Sequence, residues 1–153
     1  MRAVEPWVEG PLATFLTESA ARLTLLMTSA GQVLAQHGFT RAFDVMSAAA
    51  LGAAIMASTD ELARLMDAPP FHALAHQGVH NGLFLSGFDT PHGRWIGLVV
   101  FGPESSLGLV QLFFQRLVAD LATQAPTEQP ASRVFAADFE QELNASLRTL
   151  FGQ

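Results

Sequence analysis

The sequence predicts an α+β fold: a five-stranded antiparallel sheet carrying three helices, in the order helix, two strands, helix, three strands, helix, with one more helix appended at the C-terminus. Three observations predict it. Short β-type runs are separated by clusters of Gly, Asn, Asp and Pro. Two longer segments place apolar residues at helical spacing. A polar stretch with two prolines then isolates the last apolar repeat from everything before it.

The first helix is placed at about residues 5–18, where Trp7, Leu12, Phe15 and Leu16 supply the apolar positions and Pro11 weakens the pattern. Residues 22–28 (RLTLLMT) read as a strand, Ser29-Ala30-Gly31-Gln32 as a turn, and residues 33–37 as the returning strand. Thr40 is the candidate cap of a long second helix over residues 41–67. On one of its faces fall Leu51, Ile55, Ser58, Leu62 and Leu65; on another, built from smaller side chains, fall Val45, Ala49, Gly52, Met56 and Ala63. Charge gathers late, at Asp60, Glu61 and Arg64, so the first half is apolar or small almost all round. A surface helix carries a single apolar stripe. This one is expected to be covered twice, by its own sheet and by another chain.

After Pro69-Pro70 come three strand-like segments, residues 71–77, 82–88 and 94–101, joined by turns at 78–81 and 89–93. Ser105 or Ser106 caps a third helix over residues 107–124, whose stripe is Leu107, Val110, Phe114, Leu117 and Leu121. The domain is therefore drawn at residues 1–124, a flexible linker at 125–137 and a C-terminal amphipathic helix at 138–153. In that last helix Phe139, Leu143, Leu147 and Leu150 share one face with Phe151 alongside, Asp138 stands at the cap, and Gln141 takes the capping-box position. Its five large apolar side chains contribute ~1.5–3 kcal/mol each if fully buried. Ordering the backbone costs about 1–2 kcal/mol per residue. The two totals are comparable, so the segment is expected to fold on docking, with its stripe in a partner's groove or packed back on its own dimer.

Composition narrows the function. At 153 residues, half of them hydrophobic, the chain makes one domain with a sizeable core. Only 14% of it is charged, against about a quarter in ordinary domains, so part of its surface is expected to meet a partner. A net charge of −6 with eight scattered arginines makes no phosphate-binding face, which argues against nucleic acid. Absence of cysteine removes thiolate catalysis, Fe–S clusters and Cys-ligated zinc. Without lysine there is neither a P-loop amine nor Schiff-base chemistry, so a conventional nucleotide hydrolase is excluded. The stretch 42–57 is too short and too polar to span a bilayer, and residues 1–20 make no signal peptide; the expected location is cytoplasmic.

Several segments, taken together, resemble the Roadblock/dynein light chain superfamily and within it the MglB branch. Ser29-Ala30-Gly31-Gln32-Val33-Leu34 is similar to the family's first hairpin, and Ala75-His76-Gln77-Gly78 to its third strand. Leu98-Val99-Val100-Phe101, followed by Ser106-Leu107-Gly108-Leu109-Val110, is similar to the last strand and the start of the final sheet helix. The likeness covers roughly residues 4–124, and a C-terminal helix after a linker is also an MglB-like feature. Two departures concern loops: the first hairpin lacks an acidic residue found in many relatives, and the turn at residues 89–93 looks long for the family.

The resemblance implies a homodimer in which third strands pair across a two-fold axis and second helices lie together. Val45, Ala49, Gly52 and Met56, with Ala75 and Gln77, are then the interface residues, Ala49 and Gly52 letting the helices approach closely. It also implies binding to an MglA-like small GTPase and acceleration of its GTP hydrolysis, the partner keeping the nucleotide and using its own arginine. Phe139, Leu143, Leu147, Leu150 and Phe151 are the expected partner-binding residues. No catalytic residue, cofactor or metal is expected.

Sharper readings of single residues are weaker. His72, His76 and His80 recur every four residues, but in strand and turn they stand too far apart to share an ion. Asp89 with His92 lacks a nucleophile to complete an acid–base set. Arg41 and Arg64 are the candidate arginine fingers; for Arg64 an ion pair with Asp60 one turn away is the simpler reading. Two other function classes remain: a Roadblock scaffold that leaves hydrolysis unchanged, and a PAS- or longin-type sensory module, which would need a large apolar cavity.

Overall fold

The computed structural model describes residues 2–126, 141 and 143–150. In chain order its elements are β1 (Arg2–Ala3), α1 (Pro6–Ser19), β2 (Leu23–Thr28), β3 (Val33–His37), α2 (Ala42–Leu65), β4 (Ala73–Gln77), β5 (Gly82–Thr90), β6 (Gly93–Phe101) and α3 (Leu107–Gln124). Residues 143–150 form a further helix, α4. The strands build one antiparallel sheet in the order β1-β3-β2-β6-β5-β4. All five strands read from the sequence are present. The added β1 is two residues long, pairs with Gln36 and Ala35 of β3, and is too short for any periodicity to announce it.

Alternation along β2 sorts the two cores. Leu26 points to the face covered by α1 and α3, while Leu25 and Met27 point to the face covered by α2. Under α1 and α3 the core is aromatic: the rings of Phe84, Phe88 and Phe15 meet Phe114 edge-on at 5.2, 5.5 and 6.0 Å. Gly97 of β6 is a glycine for a packing reason, because a Cβ there would run into the Phe114 ring. Pro6 opens α1 at a position where its missing N–H costs nothing, and Pro11 lies inside α1, buried, without ending it.

The caps are settled by hydrogen bonds. Thr40 does not cap α2: Arg41 is the N-cap, with no side-chain capping bond. Ser106 caps α3 by accepting the Leu109 N–H at 3.2 Å. The Ser105 hydroxyl instead donates to the Ser19 carbonyl, tying the end of α1 to the start of α3. The turn expected over residues 89–93 is shorter than the sequence suggests. The ladder runs on through the pairs Asp89–Arg94 and Thr90–Gly93, leaving only Pro91 and His92 between the strands. Gly93 takes φ +110° there, a value that glycine reaches without steric cost. Among the described residues no helix is long and apolar enough to cross a membrane.

Candidate functional site

Helix α2 is apolar on two faces, and the structure assigns each. Val45, Ala49 and Met56 are buried in one cluster with Leu25, Met27, Leu85, Ile96 and Leu98 of the chain's own sheet. Gly52 is buried among them, and a Cβ on it would stand 3.0 Å from the Met27 Cε and 3.5 Å from the Leu98 Cδ1. The sequence reading gives this small-residue face to a second subunit; in the structure it lies on the chain's own sheet. The sheet presents bulky side chains here, so the helix must present small ones, and Val45, Ala49, Gly52 and Met56 are used up within the subunit. The face left to solvent carries the large residues: Leu51 is 64% exposed, Leu62 52% and Leu65 75%, with Ala50, Ala54, Ala57 and Ser58 between them. Gly31 of the β2–β3 turn faces Ala49, Ala50 and Ala53, whose nearest atoms a Cβ on it would meet at 3.5–3.8 Å. At 100° per residue, Ala48, Leu51, Ile55 and Leu62 therefore occupy the opposite flank of α2, turned away from that hairpin.

The second feature is the sheet edge. Strand β4 pairs only with β5 in the sheet. The His72 carbonyl accepts the Gly87 N–H at 3.3 Å, and Gly78 donates to the Asn81 carbonyl at 2.8 Å, so both point inward. By antiparallel alternation Ala73, Ala75 and Gln77 point their backbone N–H and C=O groups outward. These are the positions at which an added strand would bond, and they include Ala75 and Gln77 from the sequence-based interface. Edge strands are commonly guarded by lysine, proline or a bulge; Ala73–Gln77 contains no lysine or proline, and its ladder with β5 is regular. The opposite edge is treated differently, since β1 covers β3 there.

Of the tail residues singled out from sequence, Leu143, Leu147 and Leu150 lie exposed on α4. Asp138, Phe139 and Phe151 fall outside the described residues. Arg41 is exposed at the start of α2. Arg64 pairs with Glu61 rather than Asp60, its Nε donating at 3.0 Å; both spacings are within reach on a helix, and here the shorter one is used. His76 sits exposed on β4, while His72 and His80 lie outside the strands. Among the described residues no three His, Asp or Glu side chains are grouped to hold a metal.

Arg22 marks a pole of the sheet that the sequence did not signal. Its guanidinium donates to Glu104 at 2.6 and 3.0 Å and to the Asn81 Oδ1 at 2.8 Å, joining the β6–α3 loop to the β4–β5 turn. The bond from Arg22, helped by a backbone donor, holds the Glu104 carboxyl below its ordinary value near 4.5. Beside this pole a surface hollow of about 290 Å³ is lined by Val79, His80, Phe101 and Ser106. Another of about 410 Å³ lies between α3 and the β4 edge, floored by Phe84, Phe114 and Val118. Both are open to solvent. Among the described residues the space beneath α1 and α3 is filled by aromatic rings. Three features suit association: an apolar helix face, an open strand edge and an exposed amphipathic helix.

No protein-family model matches the sequence, and no curated protein matches it. Solved structures do. MglB of Myxococcus xanthus superposes with a TM-score of 0.69 at 24% identity, over 78% of this chain and 95% of that one. The gliding protein MglB of Thermus thermophilus does so with 0.67 at 29% identity, over 78% and 88%. A Roadblock/LC7 domain from Streptomyces avermitilis reaches 0.60 at 17% identity, over 70% and 88%.

Proposed function

From the premise that the chain carries a Roadblock-like fold of the MglB type, we propose that it works as a homodimer that binds an MglA-like small GTPase and accelerates its GTP hydrolysis or holds its switch. The observation that carries this reading is the pairing of an unguarded β4 edge with an uncovered apolar face on α2 in one subunit. A second copy satisfies both: β4 strands add to each other, and the Leu51, Ile55 and Leu62 flanks of two α2 helices meet. Each large side chain so covered contributes ~1.5–3 kcal/mol when burial is complete. The interface residues are then Leu51, Ile55 and Leu62 with Ala75 and Gln77, a revision of the set drawn from sequence.

The dimer contributes no nucleophile, metal or cofactor to the reaction. It acts by binding one switch state of the GTPase better than the other. A preference of about 1.4 kcal/mol shifts that equilibrium tenfold. The resemblance is the reason to assign the catalytic arginine to the GTPase; Arg64 pairs with Glu61 on the surface of α2. Helix α4 adds a second grip through Leu143, Leu147 and Leu150. The reading places the protein in the cytoplasm, where such GTPases work.

The experiment is GTP turnover by an MglA-type GTPase of the same organism, with and without this protein, beside a binding titration in GTP-analogue and GDP states. Turnover should rise at least tenfold, with tighter binding to the GTP-analogue form. Binding with unchanged turnover would make the dimer a scaffold; no binding in either state would remove the reading.

A further inference from the structure

Two strands of nearly the same chemistry flank β2, β6 and β5 from opposite sides. Strand β3 reads Val-Leu-Ala-Gln-His, and β4 reads Ala-Leu-Ala-His-Gln. Neither contains proline, lysine, arginine, aspartate or glutamate. What separates them is β1. The Leu34 carbonyl accepts the Val4 N–H at 2.8 Å. Gln36, opposite Arg2, turns its backbone groups the same way by antiparallel alternation. Without β1 these groups would face outward, as those of Ala73, Ala75 and Gln77 do on β4.

The cover is slight. Strand β1 has two residues, and α1 begins soon after it at Pro6. Val4 is 71% exposed, and a hollow of about 160 Å³ lies open along this edge between Ala3, Val4, Val33 and Leu34. So short a strand gains few bonds against the entropy lost in ordering it, and it opens more readily than the longer ladders. The register of β3 with β2 slips beside Leu34, but Ala35, Gln36 and His37 keep a regular ladder. Two copies meeting with Ala35 opposite Ala35 would join the Leu34 and Gln36 groups of one to those of the other.

We propose that β1 is a strap over a second strand-addition edge, and that once the strap is released β3 takes the β3 edge of another copy. That contact stands by itself; its power to join dimers into longer chains rests on the β4 dimer proposed above. A dimer closed at β4 carries one strapped edge at each end of its sheet. Opening both lets assembly run on without closure, so the strap confines the protein to a pair.

The test uses the full chain with Val4→Pro, which removes the bond to Leu34. Its weight-average mass in sedimentation should rise at least roughly twofold over the unaltered chain, because every subunit gains a new contact. Adding Gln36→Pro withdraws the N–H that an added strand needs, takes no bond from β2, and should return the mass to its starting value. Fastening the strap should do the same. Ala3 and Ala35 lie opposite each other and the chain has no cysteine, so Ala3→Cys with Ala35→Cys gives a disulfide that reduction reopens. Unchanged mass in Val4→Pro, or a rise that survives Gln36→Pro or the closed disulfide, would overturn the proposal. Ala75→Pro separates it from the β4 reading: combined with Val4→Pro it should leave a dimer joined at β3, and a monomer there would also overturn it. Should the unaltered chain prove monomeric, the β4 reading fails while Val4→Pro is still expected to pair.

Discussion

Gly52 lies on the face of α2 that turns inward, against Met27 and Leu98. Its hydrogen leaves room for the Met27 methyl, and a Cβ at that position would stand 3.0 Å from the Met27 Cε and 3.4 Å from its sulfur. Gly52→Val is predicted to overpack this contact and cost about 1–3 kcal/mol of subunit stability. The loss should be read in chemical denaturation, with the dimer dissociation constant little changed at concentrations where the variant is folded. Loss of the dimer with stability intact would mean that Gly52 faces a partner after all. At this scale the sequence reveals the two faces of α2 but not their directions, since a small-residue face suits a neighbouring helix as well as a sheet. The bulk of Leu25, Met27, Leu85, Ile96 and Leu98 beneath it decides the matter, and that is a property of other segments. The partner of Arg64 is hidden in a similar way, because the choice between Asp60 and Glu61 rests on a side-chain conformation.

In the proposed dimer, strand β4 is the element on which assembly turns. The Ala75 N–H points away from β5, so Ala75→Pro removes no bond within the subunit while denying one to an added strand. Dimer affinity is predicted to fall at least about tenfold, the equivalent of ~1.4 kcal/mol, with the subunit still folded by circular dichroism. Unaltered affinity would place the interface elsewhere. How legible an element is depends on how much of it repeats. Helix α3 is read to the residue because Ser106, a four-residue rhythm and the end of apolarity agree at both its termini. Strand β1 has two residues and hence no rhythm at all. The β5–β6 turn reads too long because Asp89, Thr90 and Gly93 are turn formers by composition, yet the ladder carries all three. Arg22 crossing Gly102 to reach Glu104 joins residues far apart in sequence, and no local pattern marks such a bond.

For the whole molecule, the low share of charge finds its explanation in where the apolar residues went. Two cores take many of them, and among those left exposed are Leu51, Leu62 and Leu65 on α2 and Leu143, Leu147 and Leu150 on α4. A monomer would leave that surface wet beside an open sheet edge, an arrangement that invites unspecific aggregation. The proposed dimerisation through β4 and α2 would close the edge and leave α4 and the rest of the α2 surface for the proposed GTPase partner. The most direct measurement is sedimentation velocity of the full chain from about 0.1 to 10 μM, a range that spans typical homodimer constants. A species of twice the chain's mass is expected, one that dissociates on introducing Leu62→Glu. A well-folded single chain throughout the range, indifferent to that substitution, would contradict it.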